Sequence, residues 1–340
     1  MQVTKTKSYY EQTLQKEFYQ KNVNNNFLTK TFSEMENILI TYYNKLFFKK
    51  WIIGICHENI SDIIRKKKFN PNIKWLRTDS PDKFYADPFL IPSKNGGLNI
   101  MYEEFPFNEN YGKISLMALD EKFNPKSNKL LLDTKSHLSY PFIYAENNKT
   151  YIFPESAQNG KLSCYEYDSE SESIKFLKDI LDLPLRDSTI IKHDNKYWIV
   201  GTLSEAAIDY KLHIFVSDNL LGPYIPHPKN PVKNGLNGTR SAGNFIEING
   251  TIYRPTQNCQ KNYGESITIN KVTELSLENF SEEPHMTIKI NKKNKNNRDV
   301  RSIHTINVLG NNIVVDGEQW IFSPKEQWKS FLKSRIKRIF

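Results

Sequence analysis

From Phe84 onward, short hydrophobic runs alternate with tight polar turns, and five stretches lie over one another. They are "ADPFLIPSKNGGLNIMYEE" from Ala86, "SYPFIYAENNKTYIFPES" from Ser139, "RDSTIIKHDNKYWIVGT" from Arg186, "SAGNFIEINGTIYRPTQ" from Ser241 and "SIHTINVLGNNIVVDG" from Ser302. Each has a small or polar head, about five strand-forming residues and a turn dipeptide. The turns are Asn95-Gly96, Asn147-Asn148, Asp194-Asn195, Asn249-Gly250 and Gly310-Asn311. Such pairs accept the positive φ of two-residue hairpin turns.

With Asp87, Tyr140, Asp187, Gly243 and His304 as heads, the steps are 53, 47, 56 and 61 residues. Repeats of about 50 residues with several strands each predict a propeller, here all-β and five-bladed. "GKISLMALD", "KLSCYEYD", "YKLHIFVSD" and "ESITINKVTE" supply outer strands for the first four repeats. The fifth has none, so "WIIGIC" and "IKWLRT" are expected to close the ring by pairing with it. An irregular β-sandwich of hairpins is the alternative, and it leaves five registered heads to chance. Residues 1–50 read as a helical extension, with an amphipathic helix in "FSEMENILITYYNKLFF"; "ISDIIRKKKF" reads as a short helix. The propeller is expected over 51–322 and a basic amphipathic helix over 323–340.

In a propeller the innermost strands line one channel, so their heads meet although they stand far apart in sequence. The set comprises Asp87, Tyr140, Asp187, Arg240 with Asn244, and His304, with Arg186, Arg254 and Lys261 as further cations. Each has a bland alternative: an Asp before Pro caps a turn, an Arg pairs with a neighbouring Asp, and a lone His packs in a core. Together, two carboxylates, a phenol, a guanidinium and an imidazole form a site.

Composition narrows the chemistry. The net charge of +9 suggests an anionic partner. The basic runs "RKKK" and "NKKNKNNR" fall in loops without interleaved aromatics, which counts against nucleic acid. Three scattered cysteines, without a Cys-x-x-Cys pair, give no disulfide framework or structural zinc. No apolar run reaches the ~20 residues of a membrane span, and the N-terminus lacks a signal-peptide core. A cytoplasmic protein is expected, peripheral on the inner face of the plasma membrane. Without an Asp-x-Asp motif, neither metal nor other cofactor is expected.

"FYADPFL" and "LRDSTII" resemble inner-strand heads of the five-bladed glycoside hydrolase families 43, 32 and 68. There, such aspartates surround the anomeric carbon. More closely, "YADPFL", "SYPFIYAENNKTYIFPES", "RDSTII", "SAGNFIEINGTIYRPTQNC", "YGESI" and "IHTINV" resemble the N-terminal propeller of the plant glucosamine inositolphosphorylceramide transferases and its bacterial stand-alone relatives. The recognised transferase domain of the plant proteins is a separate, C-terminal one, and the resemblance does not extend to it. A Glu-Gly-Pro head, whose glutamate protonates the leaving sugar in family 43, is replaced here by "SAGN". Glu155 and Glu265 are the substitutes, on other strands. Hydrolysis needs an acid and a base, whereas transfer from a sugar nucleotide releases a diphosphate that needs no proton. That inventory implies a glycosyltransferase, or related glycan-modifying enzyme, of bacterial surface polysaccharide or glycolipid assembly. Asp87 is then the base, Asp187 orients substrate hydroxyls, and Arg240 and His304 bind the anionic leaving group. The partners are an activated sugar donor and a glycan or glycolipid acceptor. The alternatives are a hydrolase using Asp87 with Glu155 or Glu265, and a non-catalytic carbohydrate-binding propeller. The tail "KEQWKSFLKSRIKRIF" has the pattern of a helix lying on an anionic membrane through residues 325–340, or packing on the propeller.

Overall fold

The structure is a computed structural model that describes residues 47–76, 82–94, 96–204, 210–297 and 299–322. The chain enters through β1 (Phe47–His57), helix α1 (Ile60–Lys66) and β2 (Lys74–Leu76). Blade one is β3 (Lys83–Pro92), β4 (Leu98–Pro106), β5 (Lys113–Leu119) and β6 (Pro125–Leu132). Blade two is β7 (Ser139–Glu146), β8 (Lys149–Glu155), β9 (Leu162–Asp168) and β10 (Ser173–Leu181). Blade three holds β11 (Arg186–His193), β12 (Lys196–Ser204) and β13 (Tyr210–Ser217), edged by the short β14 (Ile225–Pro226) and β15 (Lys233–Asn234). Blade four has a broken innermost strand, β16 (Asn237–Ser241) and β17 (Ile246–Ile248), then β18 (Thr251–Asn258), β19 (Ser266–Leu275) and β20 (Phe280–Ile288). In blade five the innermost strand is β21 (Val300–Ser302) and β22 (Ile306–Leu309), and β23 (Asn312–Phe322) follows. β1 and β2 continue that sheet in the order β2-β1-β23, so the N-terminal strands complete the last blade. The five-bladed propeller is the fold.

Closure has a plain cause. The edge of β23 would stay open without β1, and an unpaired hydrophobic edge invites aggregation. Ile53 and Ile55 of β1 are wholly buried among Tyr85, Ile100, Tyr102 and Val314, between the fifth blade and the first. Helix α1 starts on Asn59, whose side chain accepts from Ser61 N–H (2.8 Å), and buries Ile60, Ile63 and Ile64. Its apolar stripe covers the β19 and β20 residues Ile267, Ile269, Met286 and Ile288.

The predicted hairpin turns form as expected: Asn147 and Asn148, Asp194 and Asn195, and Asn249 and Gly250 all have positive φ. Gly96 and Gly310 are left-handed as well, while Asn95 lies outside the described residues. The helix expected over 32–48 also falls outside them as far as residue 46, and its last two residues, Phe47 and Phe48, instead open β1. Residues 323–340 are likewise outside the described residues.

Candidate active site at the channel head

The heads share a backbone device. Asp87, Tyr140 and Asp187 have φ of 50°, 43° and 47°, and the ladder slips a register at each, between Ala86 and Phe89, Ser139 and Phe142, and Arg186 and Thr189. A bulge adds one residue to the inner strand and re-aims its side chain. In blades four and five the innermost strand breaks outright, at Gly243 (φ 141°) and at His304. Left-handed backbone costs a non-glycine residue roughly 1–2 kcal/mol.

Polar side chains offset that cost by capping the head amides. Asp87 N–H donates to Asp316 Oδ2 (3.0 Å), Tyr140 N–H to Asp87 Oδ2 (3.2 Å) and Asp187 N–H to Glu155 Oε2 (3.2 Å). Asn244 N–H donates to Asn307 Oδ1 (2.8 Å). Each of these bonds joins two neighbouring blades, so the channel head also stitches the ring.

Two charged groups result. In the first, His304 Nδ1 donates to Asp316 Oδ1 (2.8 Å) while Nε2 stands 3.3 Å from Asp87 Oδ1. Burial works against the imidazolium, but Asp316 and then Asp87 overcome it and raise the His304 pKa well above its ordinary value. Burial likewise pushes the Asp87 carboxyl up, with His304 opposing. Burial acts to raise Asp316 too, yet His304 holds it below the usual carboxylate range. Asp87 Oδ1 has no donor in hydrogen-bond geometry among the described residues. It is buried, and the other carboxylate oxygens of the group already accept from N–H donors.

In the second group, Arg240 grips Asp187 in a bidentate pair, Nε to Oδ2 at 2.5 Å and Nη2 to Oδ1 at 3.0 Å. Gln257 Nε2 adds a bond to Asp187 Oδ2 (3.2 Å), and Glu155 lies 3.9 Å from the guanidinium. Burial pushes the Asp187 carboxyl up to about 6, Arg240 opposing and Glu155 reinforcing. The Arg240 guanidinium lies between Tyr210 (5.7 Å) and Tyr263 (5.2 Å). Tyr263 and Trp51 also face the His304 ring, at 5.4 and 4.1 Å. Tyr263 faces both Arg240 and His304, so the two groups adjoin in one site.

The structure therefore gathers Asp87, Asp187, Glu155, Arg240 and His304. Tyr140 contributes its amide, but its wholly buried ring packs on Phe89 and its hydroxyl meets Thr189 Oγ1 (3.0 Å). That makes Tyr140 a packing residue rather than a substrate ligand. Arg254 is also misplaced as a site residue: it points to the far side of β18, where it holds Glu282 by two bonds of 2.8 Å and reaches the Gly238 carbonyl. Glu265 pairs with Lys289 (3.6 Å) outside the channel group, so it is no substitute acid. Arg186 is half-buried and Lys261 exposed on the β18–β19 loop. Arg240 corrects its own assignment, since two of its nitrogens are committed to Asp187 instead of an anionic ligand.

Sequence reading missed Asp316, Gln257, Tyr263, Tyr210 and Trp51. Asp316 left one trace, a carboxylate inside the hydrophobic run "NIVVDG". Nothing in its spacing tied it to His304. As a metal site, Asp87, His304 and Asp316 bring ligand atoms within 4.8 Å of one another. However, Asp316 Oδ1 already accepts from Thr305 N–H (3.0 Å) and His304 N–H (3.2 Å) as well as from the imidazole. That leaves Asp87 Oδ1 and His304 Nε2, two donors, too few among the described residues to hold a cation without further ligands. The set suits a held proton better.

Residues 73–321 match the family model "Glucosamine inositolphosphorylceramide transferase 1, N-terminal". The chain belongs to this family. It is 34% identical to glucosamine inositolphosphorylceramide transferase 1 of Arabidopsis thaliana over 232 residues, 66% of this chain and 30% of that protein. The namesake from Oryza sativa subsp. japonica is 29% identical over 223 residues, 64% of this chain and 30% of its own length. The chain thus spans about 30% of the length of the curated relatives it matches. Among solved structures, a family 117 glycoside hydrolase of the marine bacterium Zobellia galactanivorans superposes with a TM-score of 0.51. That pair covers 82% of this chain and 92% of the hydrolase at 12% identity, a likeness of fold alone.

Proposed function

We propose that this propeller handles a sugar in glycosyl transfer from an activated donor, such as a sugar nucleotide, to a glycan or glycolipid acceptor. The setting we assign is surface polysaccharide or glycolipid assembly at the cytoplasmic face of a bacterial membrane. The observation that carries the reading is Asp87 Oδ1, a buried carboxylate oxygen without a hydrogen-bond donor, standing 3.3 Å from His304 Nε2. Burial strengthens Asp87 as a base, which suits removal of a proton from an acceptor hydroxyl. As the acceptor oxygen bonds to the anomeric carbon, the bond from that carbon to the diphosphate oxygen breaks. The diphosphate keeps the electron pair and leaves as an anion, needing no protein acid. The imidazolium of His304, fixed by Asp316, lowers the cost of negative charge at the site. Asp187, held by Arg240 and Gln257, presents a fixed acceptor for sugar hydroxyls. The relatives' names, which describe transferases, support the same class.

Asp87→Asn tests this. The substitution keeps shape and removes the base, so turnover measured as nucleotide release should fall by roughly 10²–10⁴ with donor affinity nearly unchanged. Full turnover in the Asp87→Asn variant overturns the assignment.

One observation favours a hydrolase as second reading. His304 Nε2 stands 3.3 Å from Asp87 Oδ1, and Asp316 and Asp87 raise its pKa well above the ordinary value, so a proton donor adjoins the base without either substitute glutamate. Cleavage of aryl glycosides in the absence of any nucleotide sugar, abolished by His304→Gln, would select it over transfer.

A further inference from the structure

Two basic runs that lie in separate loops of the sequence become one surface. Asn70, which follows Arg65, Lys66, Lys67 and Lys68, accepts from Asn291 Nδ2 (2.7 Å), and Asn72 accepts from Asn296 Nδ2 (2.8 Å). Trp75 Nε1 donates to Asn297 Oδ1 (2.9 Å), and His285 Nε2 meets the Ile64 carbonyl (3.1 Å). These contacts bind the α1–β2 loop to the β20–β21 loop, where Lys289, Lys292, Lys293 and Lys295 are all exposed, as are residues 65–68. Of the nearby carboxylates, Asp62 is taken by Arg65 and Lys66, Glu265 by Lys289, and Asp299 accepts from Gln319 Nε2. Among the described residues no carboxylate lies within ion-pair distance of Lys67, Lys68, Lys292, Lys293 or Lys295.

The surface adjoins the channel head. Asn258 pairs with Asn237 at the start of the inner strand, so the loop after β18 lies on the head side, where Tyr263 rests on Arg240 and His304. β20 runs antiparallel to β19 and returns to that side, and Lys289 then stands 3.6 Å from Glu265 of the same loop.

We infer that this lysine surface docks the propeller on an anionic phospholipid bilayer, with the channel head beside the headgroups. The inference rests on the lipid-linked acceptor of the reading above. Lysine is a compact, unoriented charge that suits a diffuse headgroup layer. Bidentate base reading by Arg and stacking on exposed rings, the devices of nucleic-acid binders, are not what this surface offers. Phe69, the aromatic residue within it, is partly buried against the core.

The experiment is vesicle co-sedimentation of the full chain without donor, using phosphatidylcholine vesicles with and without phosphatidylserine. Binding is expected only with phosphatidylserine, and it should weaken as salt rises. Lys292→Glu/Lys293→Glu/Lys295→Glu should weaken it by roughly 100-fold, and Lys67→Glu/Lys68→Glu by roughly 10-fold or more. Lys175→Glu/Lys178→Glu, exposed on β10 of blade two, should leave it unchanged. Equal binding to neutral vesicles, insensitivity to both patch variants, or equally tight binding to a DNA duplex at the same salt overturns the inference. Turnover on a soluble acceptor is read separately, so failed docking with intact turnover leaves the transfer reading standing.

Discussion

The sequence offers Arg240 at the channel head and Arg254 as a further cation of the site, yet each is locked to a buried carboxylate, Asp187 and Glu282. Removing one partner of a buried pair leaves the other charge uncompensated, at about 3–5 kcal/mol. Arg240→Ala is therefore expected to lower stability by that amount in denaturant titration. Arg254→Ala should cost less than Arg240→Ala, because Lys233 also holds Glu282 (2.7 Å). A fully stable Arg240→Ala variant with weakened donor binding would restore the anion-binding role. His304 gives a pH signature. Its folded pKa is raised above the unfolded value, so its contribution to stability is complete below about 6.5 and is lost as pH rises through the folded value. The stability difference between wild type and His304→Gln should be largest below neutrality and shrink towards alkaline pH. Thermal melts from pH 6 to 10 (roughly the span around the free-histidine value) check this, and a difference that does not vary with pH contradicts it.

At the scale of elements, the bulged heads and the amide caps act together. Gly243 shows how tight the junction of blades four and five is. An added Cβ there would lie 1.8 Å from the Ile306 carbonyl oxygen, a backbone atom, at a φ of 141°. Ile306 N–H donates to the Ala242 carbonyl (2.7 Å) across the same seam. Gly243→Ala should destabilise by more than about 2 kcal/mol, overpacking and backbone strain acting together. Gly250→Ala, where nothing lies within 4 Å, isolates the backbone part and should cost about 1 kcal/mol. Similar losses at the two sites in urea unfolding would show that the seam is loose.

For the whole molecule, ring closure depends on strands that come first in the chain and pair with its last blade. A variant beginning at residue 82 loses β1 and β2, exposes the edge of β23 and removes Trp51 from beside His304. It should aggregate or fail to fold, and adding residues 47–81 as a separate peptide should recover soluble protein. Soluble, cooperatively melting protein from the truncated variant alone would show that blade five stands without them.

Periodicity made the blades legible. Alternating strands, Asn-Gly and Asp-Asn turns and head spacings near 50 residues are local or regularly repeated, so one chain read in order displays them. The heads Asp87, Asp187 and His304 were legible for the same reason, as was the need for β1 to finish the last blade. Partner choice was not. Asp316 sits in a hydrophobic run, Gln257 lies near the end of β18 and Tyr263 in the loop after it with no spacing that ties either to its partner, and the runs at 65–68 and 291–298 are about 225 residues apart. Which carboxylate neutralises Arg240, which oxygen of Asp87 is left without a donor and which lysines share a surface depend on side chains meeting at distances of 2.5–3.6 Å. The sequence by itself determined the repeat, its turns and the residue types at the channel head, because those follow from backbone geometry within each blade. Only the tertiary structure decided the ion pairs, the held proton and the joined basic surface, because electrostatic partnership depends on distance through space, which closing the ring sets.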